Sequence, residues 1–231
     1  MGQRYFITGD THRDFDRVVE WVMKENKGSE STLIILGDAG INFSLDLRDK
    51  NIKKLLNNLN IKLFCIHGNH EERPENIEGY EEIEYNEGTV FVEKMYPNLL
   101  FAKDGETYNF GGKKCLVIGG AYSIDKQYRI RNFLNWFPSE QISEVRRKEI
   151  LEETKGKVYD YVFTHTCPYS IRPTHLFIKN VNQDNVDTSM ERFLEDIANQ
   201  ITFDKWYFGH FHGDWVNGKY KMLYKNIEEL R

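Results

Sequence analysis

Short runs of consecutive apolar residues along this chain alternate with longer segments whose apolar positions recur every three or four residues. RYFIT at 4–8, STLIIL at 31–36 and IKLFCI at 61–66 have little polar interruption, as strands buried on both faces require. Between them, FDRVVEWVMKEN at 15–26 repeats Phe15, Val18, Val19, Val22 and Met23 at helical spacing. LDLRDKNIKKLLNNL at 45–59 does the same with Leu45, Ile52, Leu55, Leu56 and Leu59, so two helices with those residues inward are predicted. Strand, helix, strand, helix, strand in this order predicts parallel pairing in an α/β sheet.

From 88 to 120 the pattern changes to short pieces, TVFVE, LLFAK, ETYNFGG and KKCLVIGG, joined by glycine and charged turns. They read as antiparallel strands of a second sheet. Pro138 and Ser139 open a charged helix predicted to reach about Thr154, and a strand is predicted at 159–164. TSMERFLEDIANQI predicts a helix opened by a capping box, Thr188 with Glu191. KWYFG and KYKMLYK end the chain as strands. Nothing in the pattern repeats or divides, and a single domain over 1–231 is expected.

Composition narrows the class. The chain has 231 residues, 40% hydrophobic and 29% charged, enough to bury a core and unlike a disordered protein. Its net charge of −5 is modest, and no apolar run approaches the ~20 residues of a membrane span. The start lacks the long apolar core of a secretory signal. Cys65, Cys115 and Cys167 are widely separated and odd in number, which suits a reducing compartment, so a cytoplasmic protein is expected.

In open α/β sheets ligands bind beyond the carboxyl ends of the strands, so the residues just past each strand matter most. The first strand runs into Asp10-Thr11-His12, the second into Gly37-Asp38, the third into Gly68-Asn69-His70-Glu71. A later strand runs into Thr164-His165, and the next into Gly209-His210-Phe211-His212. Singly, each has an ordinary structural explanation: a helix cap, a turn former, a packed core histidine. Gathered at one sheet edge, carboxylates and imidazoles would crowd together without counter-charge unless a cation were present. Mixed Asp, Asn and His without paired cysteines favours Mn²⁺, Fe or Zn²⁺ over Mg²⁺ or Ca²⁺. Six or seven ligands exceed one ion's need, whereas two ions about 3.5–4 Å apart sharing a carboxylate would use them all.

The set GDTH, LGDAG, IHGNHE, FTH and GHFH, in this order across 9–212, resembles the calcineurin-like metallophosphoesterase superfamily, and among its members the compact bacterial and phage types. The resemblance implies two mixed β-sheets packed face to face and flanked by helices, the α/β metallophosphatase fold. It also implies a metal-dependent phosphoric ester hydrolase with two divalent or trivalent ions. Asp10, His12 and His212 would hold one ion, Asn69, His165 and His210 the other, and Asp38 would bridge them. In that scheme a water acidified between the ions attacks phosphorus, His70 protonates the leaving oxygen, Asp10 orients His70, and Glu71 supports the site. The protein Ser/Thr phosphatases of the superfamily continue GDxVDRG, whereas this chain reads GDAGIN, so the arginine that grips phosphate there has no counterpart. Arg13 comes directly after His12 and would bring a cation to the rim.

Outside the ligand set, GGAYSIDKQYRIRNFLNWF at 119–137 is a polar, aromatic and cationic stretch after a strand end. Arg129 or Arg131 would clamp a phosphate, and Tyr122, Tyr128 or Trp136 would stack on a base. His67 reads as packed, and His175 as a surface or pocket residue. Residues 71–87 carry eight glutamates against one arginine, which would repel a polyanion, so extended nucleic-acid binding is not expected. The expected substrate is a small or exposed phosphoester. The competing readings are a catalytically silent scaffold of the same fold, and a nuclease or cyclic-nucleotide phosphodiesterase on the same metals.

Overall fold

Leu33 and Ile35 face one side of their strand, Ile34 and Leu36 the other, and all four are fully buried. Side chains alternate with period two, so such a run needs cover on both faces. The computed structural model describes residues 2–25, 31–179 and 181–231; Asn26, the end of the first predicted helix, lies outside them.

The chain begins with β1 (Arg4–Thr8), α1 (Asp16–Glu25), β2 (Ser31–Ile35), α2 (Leu47–Asn57) and β3 (Lys62–Cys65). It continues through β4 (Tyr80–Tyr85), β5 (Gly88–Glu93), β6 (Leu99–Ala102), β7 (Thr107–Phe110) and β8 (Lys113–Ile118). Then come α3 (Lys126–Arg131), α4 (Glu144–Thr154), β9 (Val158–Thr164), α5 (Ser189–Gln200) and β10 (Thr202–Phe208). The last strands are β11 (Trp215–Asn217), β12 (Tyr220–Met222) and β13 (Glu228–Glu229).

β1, β2, β3 and β6 pair in parallel within a 7-stranded sheet of order β13-β1-β2-β3-β6-β5-β4, in which β13, β5 and β4 run antiparallel to their neighbours. A 6-stranded sheet has order β11-β12-β10-β9-β8-β7, with antiparallel β11 and β7 at its edges. The sheets pack face to face through Ile7, Ile34, Phe64 and Val90 from the first and Tyr108, Val117, Phe163 and Tyr207 from the second. Val18 of α1 and Leu56 of α2 cover the outer face of the first sheet, and Ile150 of α4 with Phe193, Leu194 and Ile197 of α5 cover that of the second. The architecture is an α/β sandwich of two mixed sheets flanked by helices. Among the described residues no helix is long and apolar enough to cross a membrane.

Several expectations are corrected. The pieces between 88 and 120 are not one antiparallel sheet: β5 and β6 complete the first sheet and β7 and β8 begin the second, with β6 parallel to β3 and β8 parallel to β9. Local alternation encodes a strand but not a partner far along the chain. Met23 is 72% exposed, and Leu45 and Leu55 are 52% and 53% exposed rather than inward. α2 starts at Leu47 behind an Asp46 cap, and its buried face is Asp49, Lys53 and Leu56. That face tolerates polar groups because Asp49 accepts from the Ser44 and Leu45 amides and Lys53 pairs with Glu93 at 2.6 Å.

Pro138–Glu140 is a separate 3-10 turn, and α4 begins only at Glu144, capped by Ser143. The chain is held there by the buried Glu140 carboxylate, which takes the Trp136 indole N–H at 2.8 Å. The capping box is also absent: Thr188 makes no side-chain cap, Asp187 accepts from the Ser189 amide, and Glu191 turns inward to Thr166. β4 went unread because its glutamates suggest only a charged segment; as an edge strand it uses them to discourage pairing with other chains.

Phe163 lies fully buried between the sheets, so Phe163→Ala should destabilise the protein by about 3–5 kcal/mol in urea unfolding. Met23→Ala should stay within about 0.5 kcal/mol, and a large loss there would restore the inward reading of that residue.

Candidate metal centre

Five parallel strands, β1, β2, β3, β9 and β10, deliver polar residues to one end of the sandwich, and the sequence reading that put them at the edge of one sheet is corrected here. β1, β2 and β3 belong to the first sheet, β9 and β10 to the second. Each edge is tied within itself, the His12 amide donating to Asp38 O at 2.8 Å and the Gly209 amide to His165 O at 2.9 Å, and the two edges are joined where the His165 ring meets Leu36 O at 2.7 Å and the His210 amide donates to Asp10 Oδ1. Close approach demands glycine before the ligands. A Cβ on Gly37 would stand 2.1 Å from His165 Nδ1, and one on Gly68 would stand 2.0 Å from Asp38 Oδ1. His12, Asp38, His210 and His212 all have φ between 46° and 68°, strained for side-chain-bearing residues and typical of functional sites.

Asp10 and Asp38 are each 2% exposed and are held in the same way. Asp10 Oδ1 accepts from the His210 amide and Asp38 Oδ1 from the His70 amide, both at 2.8 Å. Each Oδ2 is thereby turned toward the imidazoles. Asp10 Oδ2 lies 3.4 Å from His212 Nε2 and 3.6 Å from His12 Nε2; Asp38 Oδ2 lies 3.6 Å from His165 Nε2 and 3.8 Å from His12 Nε2. Among the described residues two groupings have metal-ligand spacing, Asp10 with His12 and His212, and Asp10 with Asp38 and His165. Asp10 belongs to both, while Asp38 touches an imidazole on either side.

The donor set fits cations. Asp10 Oδ2 is buried with no hydrogen-bond partner, which costs free energy unless something positive meets it. His12 Nε2 and His212 Nε2 approach to 2.8 Å, a separation two ring nitrogens keep only around a shared proton or cation. Leu36 O can only accept, so His165 Nδ1 donates to it, and Nε2 is the ring atom turned to the site, 2.9 Å from Asn69 Oδ1. Asn69 Nδ2 donates to Ser123 Oγ at 2.9 Å, so its oxygen is the end presented to the site. Ser123 is a positioning residue the sequence reading passed over within its own GGAYS stretch.

Electrostatics agree with the geometry. Burial works to raise the Asp10 carboxyl, but the imidazoles of His12 and His212 beside it and the nearby His165 outweigh burial and hold it well below the usual range. Asp38 is likewise held down against burial, chiefly by His165. Burial alone would depress His165, yet Asp38 raises it to about 9. His210, buried beside His165, is pushed down to about 3. Burial also lowers His70, offset in part by Asp38. The site therefore attracts positive charge at His165 and keeps His210 a neutral donor.

The remaining candidates separate. Glu71 accepts from the Gly40 and Gly68 amides at 3.1 Å each, tying the loops after β2 and β3, and burial with nearby Asp38 raises it to about 7. The Asp10 carboxyl engages His12, His212 and the His210 amide, and the residue that takes the His70 amide is Asp38, not Asp10. His67 is buried, as expected of a packed residue, and His175 is an exposed neighbour of Trp215. Two clefts open on the centre and share Asp38, His70 and His212. The larger, of about 460 Å³, takes in Tyr122; the smaller, of about 330 Å³, takes in Arg13 and Arg129. Arg129 is braced by Asp125 at 2.7 Å, and Arg13 by Ser44 and Asp49. Arg131 and Tyr128 are exposed and line neither cleft, and Trp136 is bound to Glu140.

No curated protein matches the chain. The solved structure of TT1561 of Thermus thermophilus is 13% identical, covering 98% of this chain and 97% of that chain with a TM-score of 0.49. A second solved structure is 11% identical, covering 96% of this chain and 90% of that chain with a TM-score of 0.51, and has a similar fold. The sequence profile of the calcineurin-like phosphoesterases matches residues 4–214, spanning all five strand ends that carry the candidate ligands. This chain belongs to the calcineurin-like phosphoesterase family.

Proposed function

We propose that the protein is a dinuclear metal-dependent phosphoesterase acting on a small or exposed phosphoester. Asp10, His12 and His212 hold one ion, Asn69, His165 and His210 the other, and Asp38 is shared. The reading rests above all on one arrangement: Asp38 Oδ2 is within 3.8 Å of His12 Nε2 and 3.6 Å of His165 Nε2, one imidazole from each set. Mn²⁺, Fe or Zn²⁺ suits these mixed nitrogen and oxygen donors. Such ions polarise phosphoryl oxygens and acidify water.

The chain's own residues do the rest. His70 faces both clefts, so its ring reaches a phosphoester from either side and delivers a proton to the leaving oxygen. The Asp38 carboxylate fixes the backbone that carries it. Arg129 and Arg13 give the smaller cleft the positive charge that an arginine after the second aspartate supplies in the Ser/Thr phosphatases. All three cysteines are free and buried, which suits a reducing cytoplasm.

His70→Gln should lower hydrolysis of bis-p-nitrophenyl phosphate with Mn²⁺ by roughly 10²–10⁴-fold while bound metal stays unchanged. Loss of metal instead would make His70 a ligand. Asp38→Asn should remove bound metal and, with it, turnover of both p-nitrophenyl phosphate and its diester. Full activity in that variant would contradict a shared carboxylate.

A further inference from the structure

The larger cleft has a composition that metal chemistry does not require. Its walls away from the centre are apolar and aromatic, formed by Ile124, Leu176, Ile178, Val186, Phe177 and Phe211. Phe177 and Phe211 lie nearly parallel, 6.1 Å apart with 19° between their planes. Besides Asp38 at the centre and Asp125, which is paired with Arg129, the lining holds a buried carboxylate, Glu191, 6% exposed. Its Oε1 accepts from Thr166 Oγ1 at 2.8 Å, while its Oε2 is buried with no hydrogen-bond partner. The start of α5 favours an acidic residue in its first turn but does not account for the direction of this one, which makes no capping pair with Thr188 and turns inward to Thr166.

A buried acceptor without a donor is costly, and Glu191 belongs to the wall of this cleft, where an occupant with an N–H on its edge can supply one. The lining discriminates among occupants. An aliphatic ester group would leave Glu191 unpaired. A cationic head group would meet Arg172, whose guanidinium stacks at 3.7 Å on Tyr169. A flat, neutral heterocycle with an amino group on its edge satisfies both conditions: its faces lie against the apolar wall and its N–H meets the carboxylate. The cleft is within the 300–1,000 Å³ range of small-molecule sites at about 460 Å³, and it opens on His70 and the ligand residues Asp38, Asn69 and His210.

We infer that this cleft is a nucleobase subsite, with Glu191 Oε2 accepting a hydrogen bond from an amino-bearing base, so that the phosphoester is a nucleotide-sized ester. The inference rests on the phosphoesterase reading for the ester and on the cleft alone for the base. Glu191 acts as a specificity residue and takes no part in bond breaking.

The test separates the two. Adenosine, cytidine and guanosine, none of which carries a phosphoester, are titrated calorimetrically into the full-length protein, alongside purine riboside, which lacks the amino group. Hydrolysis of bis-p-nitrophenyl phosphate with Mn²⁺ is measured on the same preparation. At least one amino-bearing nucleoside should bind, and adenosine, if it is that one, should bind roughly tenfold more tightly than purine riboside. Glu191→Met, apolar and similar in size, should erase the preference for the amino group. Ile178→Trp, at a position 60% exposed and so tolerant of change, should block nucleoside binding by filling the cleft. Turnover without binding of any nucleoside, or binding that Glu191→Met and Ile178→Trp leave unchanged, overturns the base subsite while the phosphoesterase reading stands. Nucleoside binding without turnover supports the subsite and overturns the reading of the metal centre.

Discussion

Two nearly dry carboxylates, Asp10 and Asp38, meet at the seam between two sheets, and their charge is the constraint around which the rest of this molecule is arranged. Removing a carboxylate from water is expensive, and each is stabilised by an amide at Oδ1 and by imidazoles at Oδ2. The His12 and His212 ring nitrogens lie 2.8 Å apart, a distance held by a proton or a cation between them. Protons meet that demand when His12 and His165 are charged, and their upward shifts express it. Metal cations meet it as well, in a form that also acts on a phosphoester.

The fold exists to hold that charge in place. Parallel strands in both sheets end on the same side, so five loops converge without any one of them having to be long. Glycine at 37 lets the first sheet's end come within van der Waals distance of His165 in the second, and glycine at 68 lets the loop after β3 close on Asp38 beside it. Four of the candidate ligands, His12, Asp38, His210 and His212, accept left-handed backbone at the centre. Glu71 and Ser123 then fix what the strands deliver: one ties two loops through their amides, the other turns the Asn69 oxygen toward His165. Such supporting contacts decide how firmly a ligand set keeps its geometry.

The sequence made the strand ends legible because each combines a continuous apolar run with an abrupt glycine and a polar residue. Runs like STLIIL can only be buried on both faces, and the residues just past them can only lie at an edge. Which edge was not legible. The candidate ligands come from two sheets because pairing such as β6 with β3 and β9 with β8 depends on contacts remote in sequence. Helix faces were misread where polar residues satisfy one another inside: Asp49 and Lys53 are buried, and Leu55 beside them is not. Glu191 looked like a capping residue by spacing, and only its neighbour Thr166, brought near by β9, shows why it turns away. Arg129 and Arg131 are equivalent in composition, and α3 separates them by facing Arg129 toward Asp125 and leaving Arg131 in solvent.

The central claim is that the buried carboxylates and imidazoles hold two cations. Elemental analysis of the protein, purified without chelator and loaded with Mn²⁺, tests it most directly. The account predicts about two ions per chain. One ion per chain would contradict the shared-carboxylate arrangement, and none would show that protons alone neutralise the seam.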